Sequence, residues 1–108
     1  MWLFTNTGFV SAVKDGNSIC VRARDKDSLA ALSETFATPI IKTPKSDYPY
    51  RISLSPQRFA AWVKHMAINI DYRNFKSEVA STRGYEFAGP LMDVWSVMHQ
   101  VEDTEARI

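Results

Sequence analysis

The stretch GFVSAVKDGNSICVRARDKDSLAAL, residues 8–32, decides the fold because it predicts a β-hairpin followed by a helix. Asp15-Gly16 is a strong turn signal between two alternating segments. A two-residue turn would pair Ala12 with Ile19, and a four-residue loop would pair it with Val21. Both even loops put the same apolar side chains on one face: Val10, Ala12, Ile19, Val21 and Ala23. The opposite face then carries Phe9, Ser11, Val13, Cys20, Arg22 and Arg24.

The segments around this hairpin predict more strands and a short helix. Residues 2–5 form a strand that precedes a bend at residues 6–8. Asp25 or Asp27 is expected to cap a helix whose apolar stripe is Leu29, Leu32 and Phe36. Strands follow over residues 38–43 and 48–54, and the second alternates with one side facing inward: Tyr48, Tyr50, Ile52 and Leu54.

The second half of the chain predicts helices. Ser55-Pro56 is a typical N-cap and first helical residue, and the expected buried stripe is Phe59, Trp62, Val63 and Met66. Residues 71–80 predict a turn and a short helix carrying Phe75 and Val79, followed by a loop at residues 81–84. The last helix is expected from about Pro90 to Val101, with one apolar face formed by Leu91, Val94, Trp95, Met98 and Val101.

These elements indicate an α+β fold: an antiparallel sheet of four or more strands with helices packed on one face. A ferredoxin-like arrangement is one possibility. The chain contains no long repeat and no linker, so residues 1–108 are expected to form a single domain. The polar residues from about 102 to 108 are expected to fray.

Composition limits the classes of function. The 108 residues include 13 basic and 12 acidic side chains, for a net charge of +1. This balance argues against a polycationic nucleic-acid coat and against a strongly acidic mimic of nucleic acid. Cys20 is the one cysteine, so no intrachain disulfide can form. The first residues resemble neither a signal peptide nor a membrane span, and a cytoplasmic protein without membrane association is expected.

Catalytic signatures are weak. His65 and His99 lie on different predicted helices without metal-ligand spacing. The chain has no nucleophile elbow and no phosphate-binding glycine loop. Cys20 lies on the arginine side of its strand and could be reactive there, although a small strand residue is the simpler interpretation. The sequence therefore favours a protein that is not an enzyme and predicts no metal and no cofactor.

The arginines of the hairpin form the first candidate binding surface. Arg22 and Arg24 share a face with Phe9, and Arg51 falls on the same face if its strand joins the sheet. Guanidinium groups bind phosphates bidentately, and aromatic rings stack on bases. Phe9 is the only aromatic side chain predicted on this face. The structural alternative is that the arginines pair with nearby carboxylates of Asp25, Asp27, Glu34 or Asp47, or that a helix covers them.

Two further groups are candidates. Asp71, expected to cap the short helix, could form a cleft with Tyr72, Lys76 and the arginines, although packing alone also explains these residues. If part of the last helix is exposed, Val94, Trp95 and Met98 could form a dimer or partner groove.

Five segments carry a resemblance to other sequences: GFVSAV (8–13), VRARDKDSLAAL (21–32), DYPYR (47–51), IDYRNFK (70–76) and VWSVM (94–98). In this order they resemble a group of small uncharacterised proteins from bacteria and their phages. The resemblance implies a compact α+β domain in a phage or mobile-element setting. It implies no activity and no catalytic residues.

The sequence therefore predicts a non-enzymatic accessory module of bacterial or phage origin that binds another protein, with a homodimer through the last helix as a further possibility. The alternative is binding of a nucleic acid or a phosphorylated small ligand on the arginine-bearing face of the sheet. A weaker third idea is a hydrolase or transferase that uses Asp71, Tyr72 and a histidine.

Overall fold

The protein is a mixed α+β structure with a five-stranded antiparallel sheet and a helical C-terminal half. A computed structural model describes the backbone of residues 1–106 and the side chains of residues 1–104. The strands are β1 (Trp2–Thr5), β2 (Gly8–Asp15), β3 (Ser18–Ala23), β4 (Ile41–Lys42) and β5 (Tyr50–Leu54). The helices are α1 (Asp27–Phe36), α2 (Pro56–Ile68), α3 (Phe75–Arg83) and α4 (Tyr85–Ala106).

The chain divides into two compact units. The first, Met1–Asp71, contains the sheet with α1 and α2. The second begins at Tyr72 and contains α3 and α4. The expectation of a single domain stays a prediction.

The sheet of the first unit has the strand order β1-β2-β3-β5-β4, and every neighbouring pair is antiparallel. This order excludes the ferredoxin-like alternative, which requires parallel neighbours joined by crossover helices. In the central hairpin Ala12 faces Val21 and Asp15 faces Ser18, so the loop is even, as predicted. Gly16, with φ +61°, provides the left-handed backbone of this turn.

The core lies between one face of the sheet and the two helices of the first unit. The predicted inward residues of β2, β3 and β5 lie there, although Ile19 and Tyr50 are only partly buried. Leu29 and Leu32 of α1 and Phe59 and Trp62 of α2 complete the buried cluster. Phe36, Val63 and Met66 pack against this cluster. Both helices therefore cover the same face of the sheet, and neither lies on the face of the arginines.

The beginning of β2 and the beginning of α1 are in close contact. A Cβ atom on Gly8 would lie 2.2 Å from Ser28 Oγ and 2.8 Å from Ser28 Cα, so only glycine fits. The Phe9 amide donates to Ser28 Oγ at 3.2 Å, and the Ser28 hydroxyl donates to the Asp25 carboxylate. The prediction that Asp25 or Asp27 caps α1 is wrong, because Lys26 occupies the cap position without a side-chain hydrogen bond.

Several predicted boundaries also differ. β4 is only two residues long, because Pro44 and the turn after it end the extended segment. The cap of α2 is confirmed, since Ser55 accepts a hydrogen bond from the Arg58 amide. The predicted cap of α3 by Asp71 is wrong, because the Asn74 side chain accepts from the Ser77 amide.

The last two helices are longer than predicted. α3 continues through Arg83, so the predicted loop at residues 81–84 is reduced to Gly84 between the helices. α4 begins at Tyr85 and contains Pro90 in its interior, and it continues to Ala106. The helix thus extends beyond the predicted end at Val101, and residues 107 and 108 lie outside the described part. The fraying expected from about residue 102 stays a prediction.

Candidate anion-binding face

The outer face of the sheet gathers the predicted arginines with aromatic side chains. Alternation along β2 and β3 places Phe9, Ser11 and Arg22 on this face, and Arg51 of β5 lies directly opposite Arg22. We call the set consisting of Trp2, Phe4, Phe9, Arg22, Arg24, Tyr48 and Arg51 the arginine face. Four of the seven predicted site residues belong to it: Phe9, Arg22, Arg24 and Arg51.

Three of the aromatic side chains on this face were not predicted. β1 pairs with β2 so that Trp2 lies opposite Ser11 and Phe4 lies opposite Phe9. The Phe4 and Phe9 rings are stacked with 4.5 Å between centroids, and Trp2 meets Phe9 edge-on at 5.8 Å. Trp2 is 67% exposed, so one aromatic surface is open to solvent. A two-residue turn at Asn6-Thr7 would have indicated this alignment.

Tyr48 is the third addition, and it corrects the prediction that its side chain faces the core between sheet and helices. Its φ is +59°, a left-handed conformation that is strained for a bulky residue. The buried ring lies against Arg22 and Arg24, whose guanidinium carbons are 4.7 and 4.3 Å from its centroid. Such cation–π contacts hold both guanidinium groups beside the same ring.

Arg22 and Arg51 form the least compensated pair of charges in the first unit. They are direct cross-strand partners, an arrangement in which like charges repel. Among the described residues, neither has a carboxylate within ion-pair distance. The Nε atoms of both are buried, and neither has a hydrogen-bond partner in the described part of the chain. Unpaired buried donors cost free energy, and an anion bound between the two guanidinium groups would relieve the repulsion between their charges.

The three arginines make few other polar contacts. Arg22 Nη2 donates to Ser11 Oγ at 2.8 Å, and Ser11 is almost fully buried. Arg24 Nη1 forms an ion pair with Asp47 Oδ1 at 3.0 Å, with both side chains largely exposed. Arg51 reaches the Asp47 carbonyl oxygen only at 3.5 Å. The structural alternative of carboxylate pairing is therefore confirmed for Arg24, through Asp47.

The remaining predicted site residues lie outside this set. Asp71 is the last residue of the first unit and is exposed. Tyr72 and Lys76 are in the second unit, where the Tyr72 ring is 6.2 Å from that of Phe75. Lys76 is exposed and lines a cavity with Arg73. The cleft of these three residues with the arginines stays a prediction.

Each of the two histidines contacts a neighbour on its own helix. His65 contacts Asn69 on its own helix, and His99 pairs with Glu102 on α4. Cys20 is free and half-buried. Over the described residues, no cluster of three or more His, Cys, Asp or Glu side chains is arranged to hold a metal ion. Within the same residues, no helix has the length and apolar character needed to span a bilayer.

Comparison with protein-family models, with curated proteins and with solved structures returned no match for the chain. The bacterial or phage origin and the cytoplasmic location therefore stay predictions.

Proposed function

We propose that the arginine face binds single-stranded nucleic acid through its phosphates and bases. The observation that carries this proposal is the Arg22–Arg51 pair, two facing guanidinium groups with unpaired buried Nε atoms beside an aromatic surface. A phosphate has enough acceptor oxygens to bind both groups, because each guanidinium presents a planar fork of donors. Trp2 is placed for stacking by a base, as aromatic side chains do on single-strand-binding surfaces.

The proposal reverses the order in which the sequence ranked the two functions. A protein partner ranked first because catalytic signatures were weak and an arginine surface was possible, while Phe9 was the only aromatic residue expected there for stacking. With Trp2, Phe4 and Tyr48 added, the face combines cations and rings, which is what unpaired bases require. An acidic segment of another protein would use the guanidinium groups and leave the exposed ring of Trp2 unused.

The overall charge of the protein limits the expected affinity for nucleic acid. A net charge of +1 provides little long-range attraction, so binding depends on the few local contacts. If Arg22 and Arg51 contact two phosphates of a single strand, log K should fall with log[salt] with a slope of about −1.4. That slope weakens binding about sevenfold between 50 and 200 mM salt.

The test is fluorescence anisotropy of a labelled 12-nucleotide single-stranded RNA of mixed sequence, with DNA of the same sequence alongside. Arg51→Met should weaken binding and reduce the salt slope by about 0.7, because one phosphate contact is lost. Arg58→Met is the matched control, since it removes the same charge from an exposed position on α2. It should bind like the wild type.

Three results would contradict the proposal. The first is the same affinity at both salt concentrations, and the second is equal weakening by Arg51→Met and Arg58→Met. The third is binding of a Glu-rich peptide without binding of either oligonucleotide, which would indicate that the face recognises an acidic protein segment.

A further inference from the structure

Helix α4 exposes a row of apolar side chains that the sequence had marked as one face of a helix. Val94, Trp95, Val97, Met98 and Val101 are between 39 and 63% exposed. Residues 91, 94, 98 and 101 follow the alternating three- and four-residue spacing of a coiled-coil seam. The sequence left open whether part of this helix is exposed, and the residues named for that case, Val94, Trp95 and Met98, are exposed. A seam of this kind is completed by a second helix.

We propose that α4 pairs antiparallel with α4 of a second copy of this chain, forming a twofold-symmetric dimer. In such a pair, Leu91 lies opposite Val101 of the second copy, and Val94 lies opposite Met98 of the second copy. Because the contact is isologous, each of these layers occurs twice. The dimer uses the second unit and does not depend on nucleic-acid binding by the arginine face.

The direction of pairing follows from the distribution of charge. Residues 85–104 of α4 contain four acidic side chains and no Lys or Arg: Glu86, Asp93, Glu102 and Asp103. Two cations lie close to the start of α3: Arg73 just before the helix and Lys76 in its first turn, which also contains Glu78. Neither cation has an ion-pair partner among the described residues. Antiparallel pairing brings the acidic end of one α4 to this basic site on the other copy.

A cavity marks the place where the second helix would dock. It has a volume of about 470 Å³ and is lined by Arg73, Asn74, Phe75, Lys76, Leu91, Met92 and Trp95. Its lining combines apolar side chains with two cations. With Leu91 opposite Val101 of the second copy, the apolar Val101 side chain enters the cavity and Glu102 of that copy reaches Lys76. A parallel pair would place the two Glu102 side chains side by side, away from Lys76.

Two further observations fit this register. Glu102 is 76% exposed, and its described partner is His99 of the same helix, at 2.7 Å. Within one chain, Glu102 is seven residues beyond Trp95, the last α4 residue of the cavity lining, which is about 10 Å along a helix. In the proposed register, the contact between Glu102 and Lys76 is therefore one between the two copies.

The size of the surface indicates a reversible dimer. The exposed apolar side chains of α4 offer on the order of 500 Å² in each copy, or about 1,000 Å² in the pair. This area lies at the lower limit of specific interfaces, so a micromolar dissociation constant is expected rather than a nanomolar one.

The test is sedimentation equilibrium of the full chain from 1 to 200 μM. The wild type should shift from monomer to dimer over this range. Met98→Glu should stay monomeric, and because Met98 is exposed, the substitution should leave the circular dichroism spectrum unchanged. Ser96→Glu adds the same charge outside the seam and should dimerise like the wild type. A wild type that is monomeric at 200 μM, or a Met98→Glu variant that dimerises normally, would overturn the proposal.

The Glu102 and Lys76 side chains test whether the two α4 helices pair antiparallel. Glu102→Lys and Lys76→Glu should each weaken the dimer about tenfold or less, and the double variant should regain affinity, because each new charge again faces its opposite. If both single variants weaken the dimer and the double variant does not recover, the antiparallel register is wrong.

Discussion

Removing Arg51 should make the protein more stable, which is the opposite of what loss of an ordered side chain usually does. Arg51 lies between Arg22 on β3 and Ile41 on β4, so neither cross-strand neighbour offers a carboxylate. Its Nε atom is buried without a described partner, and its contact with the Asp47 carbonyl oxygen is at the distance limit. The variant Arg51→Met keeps an unbranched stem that can cover the sheet and removes the charge.

The size of the effect follows from these contacts. Like charges directly opposite each other on a sheet cost up to about 1 kcal/mol, and an unpaired buried donor costs about 1–3 kcal/mol. The lost contact with Asp47 and the loss of hydration around the guanidinium offset part of this gain. We therefore expect Arg51→Met to raise the free energy of unfolding by about 1 kcal/mol, which is about 4–8 °C in Tm for a unit of this size.

Urea unfolding monitored by tryptophan fluorescence is the assay, because Trp62 is buried in the core of the first unit and reports its unfolding. Arg22→Met is the informative comparison. It removes the same repulsion and also leaves the buried Ser11 hydroxyl without its described donor, so it should be neutral or destabilising. Salt should stabilise the wild type more than Arg51→Met, since it screens the repulsion. Destabilisation of 1 kcal/mol or more by Arg51→Met would refute this reasoning and make Arg51 a structural residue.

Three other substitutions test separate parts of the structure. Gly8→Ala should destabilise the first unit by about 2 kcal/mol or more in urea unfolding, because the new Cβ would overlap both the side chain and the Cα of Ser28. An effect below about 0.5 kcal/mol would contradict this close contact. Ser55→Ala should cost about 1 kcal/mol through loss of the cap hydrogen bond from the Arg58 amide, and Ser55→Asp should restore most of it in the same assay. Trp2→Ala should weaken RNA binding by about 1–3 kcal/mol in the anisotropy titration, because the stacking of one base is lost. The salt slope should stay unchanged, because every phosphate contact is kept. A changed slope would argue against stacking on Trp2.

Alternation and turn chemistry made much of the fold predictable. With an even loop between β2 and β3, the same residues face the core whatever the turn type. Val10 and Val21 could therefore be assigned to the core from the sequence. The Ser55-Pro56 cap was equally clear, because a hydroxyl acceptor followed by proline suits the start of a helix.

The candidate site was only half predictable, for reasons of geometry. The side of the sheet on which Trp2 lies depends on the register of β1 against β2. A short strand with an ambiguous turn does not determine that register from sequence. Tyr48 adopts a left-handed backbone that periodicity cannot anticipate for an aromatic residue. On α4, the spacing marked an apolar face correctly, but a pattern in one chain carries no information about whether another helix covers that face.

The hydrogen bond from the Phe9 amide to Ser28 has a consequence for hydrogen–deuterium exchange. β3 ends at Ala23, so no strand residue pairs with Phe9 on that side, and the helix side chain is the acceptor instead. Exchange at this amide therefore requires α1 to leave the sheet, while exchange at the neighbouring strand amides requires the sheet itself to open. The Phe9 amide is thus a single-site probe of how often α1 detaches while the hairpin stays intact.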